Sequence, residues 1–351
     1  MTFDLPRRVI QQAVAAGAFP SAVVEVGTSR DRLWREAFGR LTFEPDARPA
    51  TEQTIFDLAS LTKVIATTSL VAQQVERGGL ALDDSIGRYI AGWRGRDRDT
   101  VTIRDLLAHC SGLTGYLPLF RDYRGRAEFE HAICALPLEY PPRTRSIYSD
   151  LGFMLLAFLL EDLGAAPLAD RFATLLDQMG IVERLQFNPP PQWRPDMAPT
   201  EQDPWRGRLL VGEVHDENAW ALGGVAGHSG LFGTAAAVGA FARHLLQILD
   251  GRTGAFSRQT LEQFITRRSG VPGSSRALGW DTMLPTSSCG VRMSPRAFGH
   301  TGFTGTSLWV DPDRLLYVVF LTNRVHPTRE NDRILQVRPA LHDAVMEALE
   351  Q

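Results

Sequence analysis

Ser60-Leu61-Thr62-Lys63 sets a hydroxyl and an amine three residues apart. Apolar Ile65, Leu70, Val71 and Val75, with Gly78-Gly79 as a stop, predict a helix over Val64 to Arg77. Ser60 and Lys63 then share one face, within side-chain reach of each other. Ser60 also falls at the positive end of that helix, where a developing anion is stabilised. A serine hydroxyl becomes a strong nucleophile when a neighbouring base takes its proton. A lysine, near pKa ~10.4 when free, is that base only where burial or a nearby cation lowers the value. Otherwise it stays charged and orients other groups. Of the 37 basic residues, Lys63 is the one lysine; the remainder are arginine. Arginine does not lose its proton in a protein and lysine can, so this position reads as one where proton exchange matters.

Tyr148-Ser149-Asp150 precedes a strongly apolar stretch, Leu151 to Leu163. A tyrosine beside a cation can ionise and act as a base. The plainer alternative is that Ser149 or Asp150 caps the helix and Tyr148 is a core aromatic. His300-Thr301-Gly302-Phe303-Thr304-Gly305 ends an apolar run. There a hydrogen-bonding residue, a hydroxyl and a glycine suit a strand edge that approaches a substrate closely. Other candidates read as loops. Gly227-His228-Ser229-Gly230 approaches the G-x-S-x-G nucleophile pattern, but Leu231 replaces the final glycine. Val214-His215-Asp216-Glu217-Asn218 reads as a hydrogen-bonded loop, with His215 and Asp216 as pocket-lining candidates. Eight histidines without H-E-x-x-H or Cys-x-x-Cys argue against a zinc hydrolase, and no metal or cofactor is expected.

The elements that must hold these residues are legible in outline. Ala22 to Gly27 and Leu33 to Phe38 predict a hairpin. Leu278 to Thr282, Phe298 to Thr301, Thr306 to Val310 and Leu315 to Thr322 predict four more strands, with a turn at Asp311-Pro312-Asp313. Helices are expected over Val9 to Ala16, Ile103 to Ala108, Leu151 to Leu163, Ala235 to Leu249 (N-capped by Thr234) and Ile334 to Leu349. Strands from both chain ends would share one sheet. The expected division is an α/β lobe from 1–79 and 235–351 and a mostly helical lobe from 80–234, with the site in the crevice between. The net charge of −3, with no basic block, argues against a nucleic-acid binder. No apolar run approaches ~18 residues, so no membrane span is expected. Neither a signal-peptide core at the N-terminus nor a disulfide framework is evident. Cys110, Cys134 and Cys289 are an odd, sparse set, and a cytoplasmic location is expected. Cys110 reads as a small buried residue.

Taken together, S-x-x-K near 60, the tyrosine triplet near 150 and the H-T-G near 300 resemble the serine β-lactamase and penicillin-binding-protein superfamily. The tyrosine points to its class C β-lactamase-like branch. Thr102 to Leu113, Leu82 to Ile86, Gly230 to Thr234 and Phe320 to Asn323 are similar to that branch as well. The resemblance implies an α/β, β-lactamase-like two-lobed fold, with an antiparallel sheet flanked by helices. It implies a serine hydrolase of esters or D-Ala-type amides: an esterase or D,D-peptidase, with a class C-like β-lactamase as the alternative. A non-catalytic penicillin-binding sensor is the alternative of another class. The substrate would be a small molecule or a short peptide or ester. Ser60 would be acylated, and Lys63 and Tyr148 would form the base and proton-relay pair. The N–H groups of Ser60 and Phe303 would form an oxyanion hole. Asp150, His300, Thr301, Gly302 and His215 would line the substrate pocket. Two departures stand out: His300 replaces the usual lysine and Asp150 the usual asparagine. A histidine is only partly charged near neutrality, so a weak carboxylate anchor is expected, favouring esters over β-lactams. An aspartate beside Lys63 would favour the charged lysine and leave Tyr148 as the base.

Overall fold

The computed structural model describes residues 2–267 and 270–350. The chain begins with α1 (Asp4–Ala15), the hairpin β1 (Ser21–Thr28) and β2 (Arg32–Gly39), then β3 (Phe56–Asp57). A π-helical segment, Lys63–Thr68, runs into α2 (Ser69–Glu76). The middle contributes α3 (Ile103–Leu107), α4 (Gly125–Ala135), α5 (Asp150–Gly164), α6 (Leu168–Met179), β4 (Leu185–Phe187), β5 (Gln202–Asp203), β6 (Arg208–Leu209), α7 (Glu217–Ala221) and β7 (Leu231–Gly233). The last third holds α8 (Ala235–Leu249), α9 (Arg258–Ile265), β8 (Asp281–Thr282), β9 (Phe298–Thr301), β10 (Ser307–Asp311), β11 (Leu316–Thr322) and α10 (Ile334–Glu350).

The main sheet has the order β2-β1-β11-β10-β9-β8, with every neighbour antiparallel. β1 is the joint between the chain ends, pairing Val24 with Glu36 on one side and with Phe320 on the other. Side chains alternate along a strand. Ala22, Val24, Val26, Val318 and Phe320 therefore meet Ile10 of α1 and Leu341 and Val345 of α10. Val23, Val319 and Leu321 face the opposite way, into a cluster with Val238 and Phe241 of α8. That second cluster continues without a break through α2 and α5. Thr234 caps α8, accepting a hydrogen bond from the Ala237 N–H.

Two elements matter most for the site. In α5 every residue from Leu151 to Leu160 is buried, as an all-apolar helix requires. At roughly 1.5–3 kcal/mol for each large apolar side chain buried, its N-terminus is a firm platform for Tyr148 and Asp150. The expected strand Leu278 to Thr282 is shortened to Asp281–Thr282. The chain instead turns at Gly279, at φ +83°, where a Cβ would lie 2.1 Å from Thr68 Oγ1. The Gly279 N–H donates to Leu107 O and that of Leu278 to Phe264 O, so this bend is docked against the helices. The single helix expected over Val64 to Arg77 is π-helical in its first part. The Ser69 hydroxyl donates back to Val64 O at 3.0 Å, and such wide turns often sit at functional sites. No single helix among the described residues is long and apolar enough to cross a membrane. The three cysteines are free and buried.

Candidate active site

Ser60 sits on a tight turn between β3 and the π-helical segment. Ala59, just before it, has a left-handed φ of +46°, a costly conformation for a residue with a Cβ. The turn is pinned from several directions. Asp57 accepts the Ala59 N–H at 2.8 Å and the His215 N–H at 2.7 Å. Thr304 and Thr306 donate to the carbonyls of Asp57 and Leu58 at 2.7 and 3.0 Å. Gly302 completes the contact: a Cβ there would lie 2.6 Å from Leu58 O and 2.1 Å from Thr306 Oγ1. The glycine is therefore required by the serine turn itself, a different reason from the substrate approach read from the sequence.

Lys63 is fully buried. Its ammonium donates to Ser60 Oγ at 3.0 Å and to the His228 carbonyl at 3.0 Å, and lies 2.7 Å from Asp150 Oδ1. Burial alone would lower its pKa, but the charge of Asp150 and the neighbouring Tyr148 outweigh that and hold it above the ordinary lysine value. Lys63 is thus charged at neutral pH, as expected from Asp150. The Lys63 ammonium lies 4.8 Å from the centre of the Tyr148 ring. The Tyr148 hydroxyl is buried beside Lys63 and Ser60, close enough for both to act on it, without meeting either in full hydrogen-bond geometry. Burial pushes its pKa up and outweighs the opposing pull of Lys63. The resting tyrosine is therefore neutral, which departs from the expectation of an ionised tyrosine base.

Ser149 does what the plainer reading of the triplet allows. Its hydroxyl caps α5 by accepting from Gly152 and donates to Thr114 O at 2.7 Å. The Ser149 N–H donates to His109 Nδ1 at 3.0 Å. The His109 and His300 rings flank Tyr148, with centroids 4.6 and 5.7 Å away. Burial, aided by the charge of Arg276, pushes both histidines well below their ordinary pKa. His300 is therefore neutral, not partly charged, and its Nδ1 meets Thr301 O at 2.8 Å. A neutral ring with that hydrogen bond presents a lone pair at Nε2 and donates nothing to an anion.

The cation comes from elsewhere. A cavity of about 510 Å³ runs from Ser60, Tyr148 and His300 to Arg276, Arg324 and Arg338. The Arg276 guanidinium lies 5.1 Å from the Tyr148 ring centre, and its buried Nη1 has no hydrogen-bond partner. Arg338 donates to the carbonyls of Gly302 and Thr306, and Arg324 to that of Phe303, each at 2.8 Å. None of the three meets a carboxylate within salt-bridge distance among the described residues. Sequence reasoning missed Arg276, since nothing marks it among so many arginines. On the other side of Ser60, a cavity of about 360 Å³ is lined by Tyr116, Asp150, His215, Asp216, Glu217 and Ser229. Glu217 pairs with Arg329 at 2.8 Å, and His215 meets Glu201 at 2.9 Å while stacking on Phe303. The Gly227-to-Gly230 segment is a loop, as read, yet it supplies the His228 carbonyl to Lys63 and the Gly227 carbonyl to Thr67. The N–H groups of Ser60 and Phe303 donate to no acceptor among the described residues.

Residues 6–341 match the family described as Beta-lactamase, and the chain belongs to that family. It is a hydrolase of the serine β-lactamase and penicillin-binding-protein superfamily, consistent with chemistry through a serine acyl-enzyme. A "Putative D-alanyl-D-alanine carboxypeptidase" of Salmonella gallinarum is 33% identical over 332 residues, covering 81% of this chain and 73% of its own length. Among solved structures, "EstCE1, a hydrolase with promiscuous acyltransferase activity" has a TM-score of 0.76 at 20% identity, covering 96% of this chain and 97% of its own. A class C β-lactamase from Rhodobacter sphaeroides has a TM-score of 0.75 at 18% identity, with 99% of each chain covered. These structures share the β-lactamase-like α/β fold.

Proposed function

We propose that the chain is a D,D-peptidase-like carboxypeptidase acting on short peptides that end in a free carboxylate. Ser60 attacks the carbonyl carbon, and its proton leaves through Lys63, with Tyr148 beside it, and a proton later returns by that route to the leaving amine. The N–H groups of Ser60 and Phe303 receive the oxyanion. Arg276, with Thr301 at the end of β9, receives the terminal carboxylate, while Asp150 and His215 border the opposite cavity. Water then releases the acyl group. Its main support is Arg276: a cation that pairs with no carboxylate at salt-bridge distance among the described residues, on the wall of the cavity that also opens onto Ser60. Its buried Nη1 has no acceptor among the described residues, and an anionic substrate would supply one. The 33% identical Salmonella relative supports the same reading.

The test compares an N-acyl-D-Ala-D-Ala peptide with its C-terminal carboxamide. The free carboxylate should raise kcat/KM by at least ~10-fold, the scale of one charge-assisted hydrogen bond. Equal rates on the two would remove the carboxypeptidase reading. A neutral short-chain ester turned over faster than either peptide would favour the esterase.

A further inference from the structure

We propose that Asp150 stores, through Lys63, the proton that leaves Ser60, so that the working base is the Lys63–Asp150 pair. This rests on Ser60 being the nucleophile. An ammonium has three protons to donate, and Ser60 Oγ and His228 O at 3.0 Å and Asp150 Oδ1 at 2.7 Å surround Lys63 Nζ, with the Tyr148 hydroxyl also beside it. In that state Lys63 has no lone pair to offer. Tyr148 is a neutral hydroxyl. The acceptor beside Lys63 is the Asp150 carboxylate, whose buried Oδ1 lies 2.7 Å from the ammonium and has no hydrogen-bond partner among the described residues.

The step balances without exchange with solvent. Lys63 passes one proton to Asp150 Oδ1, breaking N–H and forming O–H, and leaves a neutral amine facing Ser60. The serine proton moves to that amine as Oγ bonds to the carbonyl carbon and the carbonyl π pair goes to the oxyanion. On collapse the bond to the leaving group breaks, the leaving atom takes a proton from Lys63, and Asp150 returns its own. The buried pair gains one positive charge only while the oxyanion beside it carries the negative one, and it returns to zero net charge on collapse, so no buried charge stands without a counter-charge. An asparagine side chain cannot take up a proton in this way. Asp150 touches no substrate atom in this scheme; it acts through Lys63.

Other groups face the pair. Tyr148 lies across the Lys63 ammonium, with His109, His300 and Arg276 around its ring. Asp216 and His228, joined at 2.9 Å, approach Asp150 from the α7 side. Burial favours a protonated Asp216, but the charge and hydrogen bond of His228 overcome it and keep Asp216 ionised. Asp216 also accepts the Ala219 N–H at 2.7 Å.

The test is the second-order rate of Ser60 phosphonylation by a neutral fluorophosphonate, across roughly pH 4 to 10, for the wild type and Asp150→Asn. Attachment is read by intact mass. The wild type should keep its reactivity well below about pH 7. In Asp150→Asn the base forms only when Lys63 or Tyr148 loses a proton to solvent. Its acid limb should therefore rise by at least ~2 pH units, with a loss of ~100-fold at pH 6 that recovers on raising the pH. Asp150→Glu, which keeps the carboxylate, should keep the low limb. A purely structural role gives the opposite sign. Removing the negative charge lets Lys63 and Tyr148 lose protons more easily, so the limb would fall, or stay where it was. Either result overturns the proposal. A wild-type limb above about pH 7 overturns it too, whether or not the asparagine variant folds. Absence of any labelling of the wild type would instead remove Ser60 as the nucleophile.

Discussion

The two cavities that meet at Ser60 are built from opposite charges. Arg276, Arg324 and Arg338 dominate one, offset only by Asp281 and Asp332. Asp150, Asp216 and Glu217 dominate the other, offset by Arg329. Ser60, Tyr148 and Phe303 border both. In the proposed reaction the shared wall carries the chemistry, and the flanks decide which way round a polar substrate lies. An anion is favoured on the arginine side and disfavoured on the carboxylate side. The carboxylates are already paired, Asp150 with Lys63, Asp216 with His228 and Glu217 with Arg329. Arg276 is not. The larger specificity effect should therefore come from the arginine side.

The largest expected loss belongs to the shared wall. Ser60→Ala should abolish turnover of both p-nitrophenyl esters and peptides; residual turnover on either would mean that the cavities serve a different nucleophile. Lys63→Arg comes next. It keeps the charge but cannot cycle a proton, and kcat should fall at least ~100-fold on every substrate. The extra bulk at a fully buried site should also destabilise the fold by about 1–3 kcal/mol, which thermal unfolding would register. Near wild-type kcat would reduce Lys63 to an electrostatic fixture.

The flanks separate after that. Arg276→Ala should lower kcat/KM for a carboxylate-ended peptide by ~10–100-fold and leave a short neutral ester within about threefold. An equal fall on both substrates would show that Arg276 supports Tyr148 and not the substrate. Glu217→Gln tests the other side with the smallest effect. It removes one buried charge whose partner, Arg329, still keeps Glu201 at 2.6 Å, so KM for a substrate with an ammonium on its acyl group should rise only about threefold. A larger effect there than at Arg276 would reverse the comparison.

The sequence makes the shared wall readable and leaves the flanks obscure. Ser60, Lys63 and Tyr148 lie in short motifs, and the unique lysine marks its own site. The strands β1, β10 and β11 read as near-continuous apolar runs because both faces of the sheet pack on helices. The Gly279 bend is harder to read, because its cause is contact with Thr68, more than two hundred residues earlier in sequence. That same bend follows Arg276, so the position of the cation depends on tertiary packing. His300 shows the same limit: its spacing suggests an anchor, but burial beside Arg276 makes it neutral. The His228 carbonyl leaves no trace in sequence at all, since any residue could supply it.

The central claim is that Ser60 is the atom acylated between the two cavities. The direct measurement is intact mass after exposure to a fluorophosphonate or a slowly released β-lactam, followed by peptide mapping. One adduct per chain should appear, on the peptide carrying Ser60, and it should be absent from Ser60→Ala. An adduct that persists in Ser60→Ala, or that maps to Ser229 in the neighbouring loop, would contradict it.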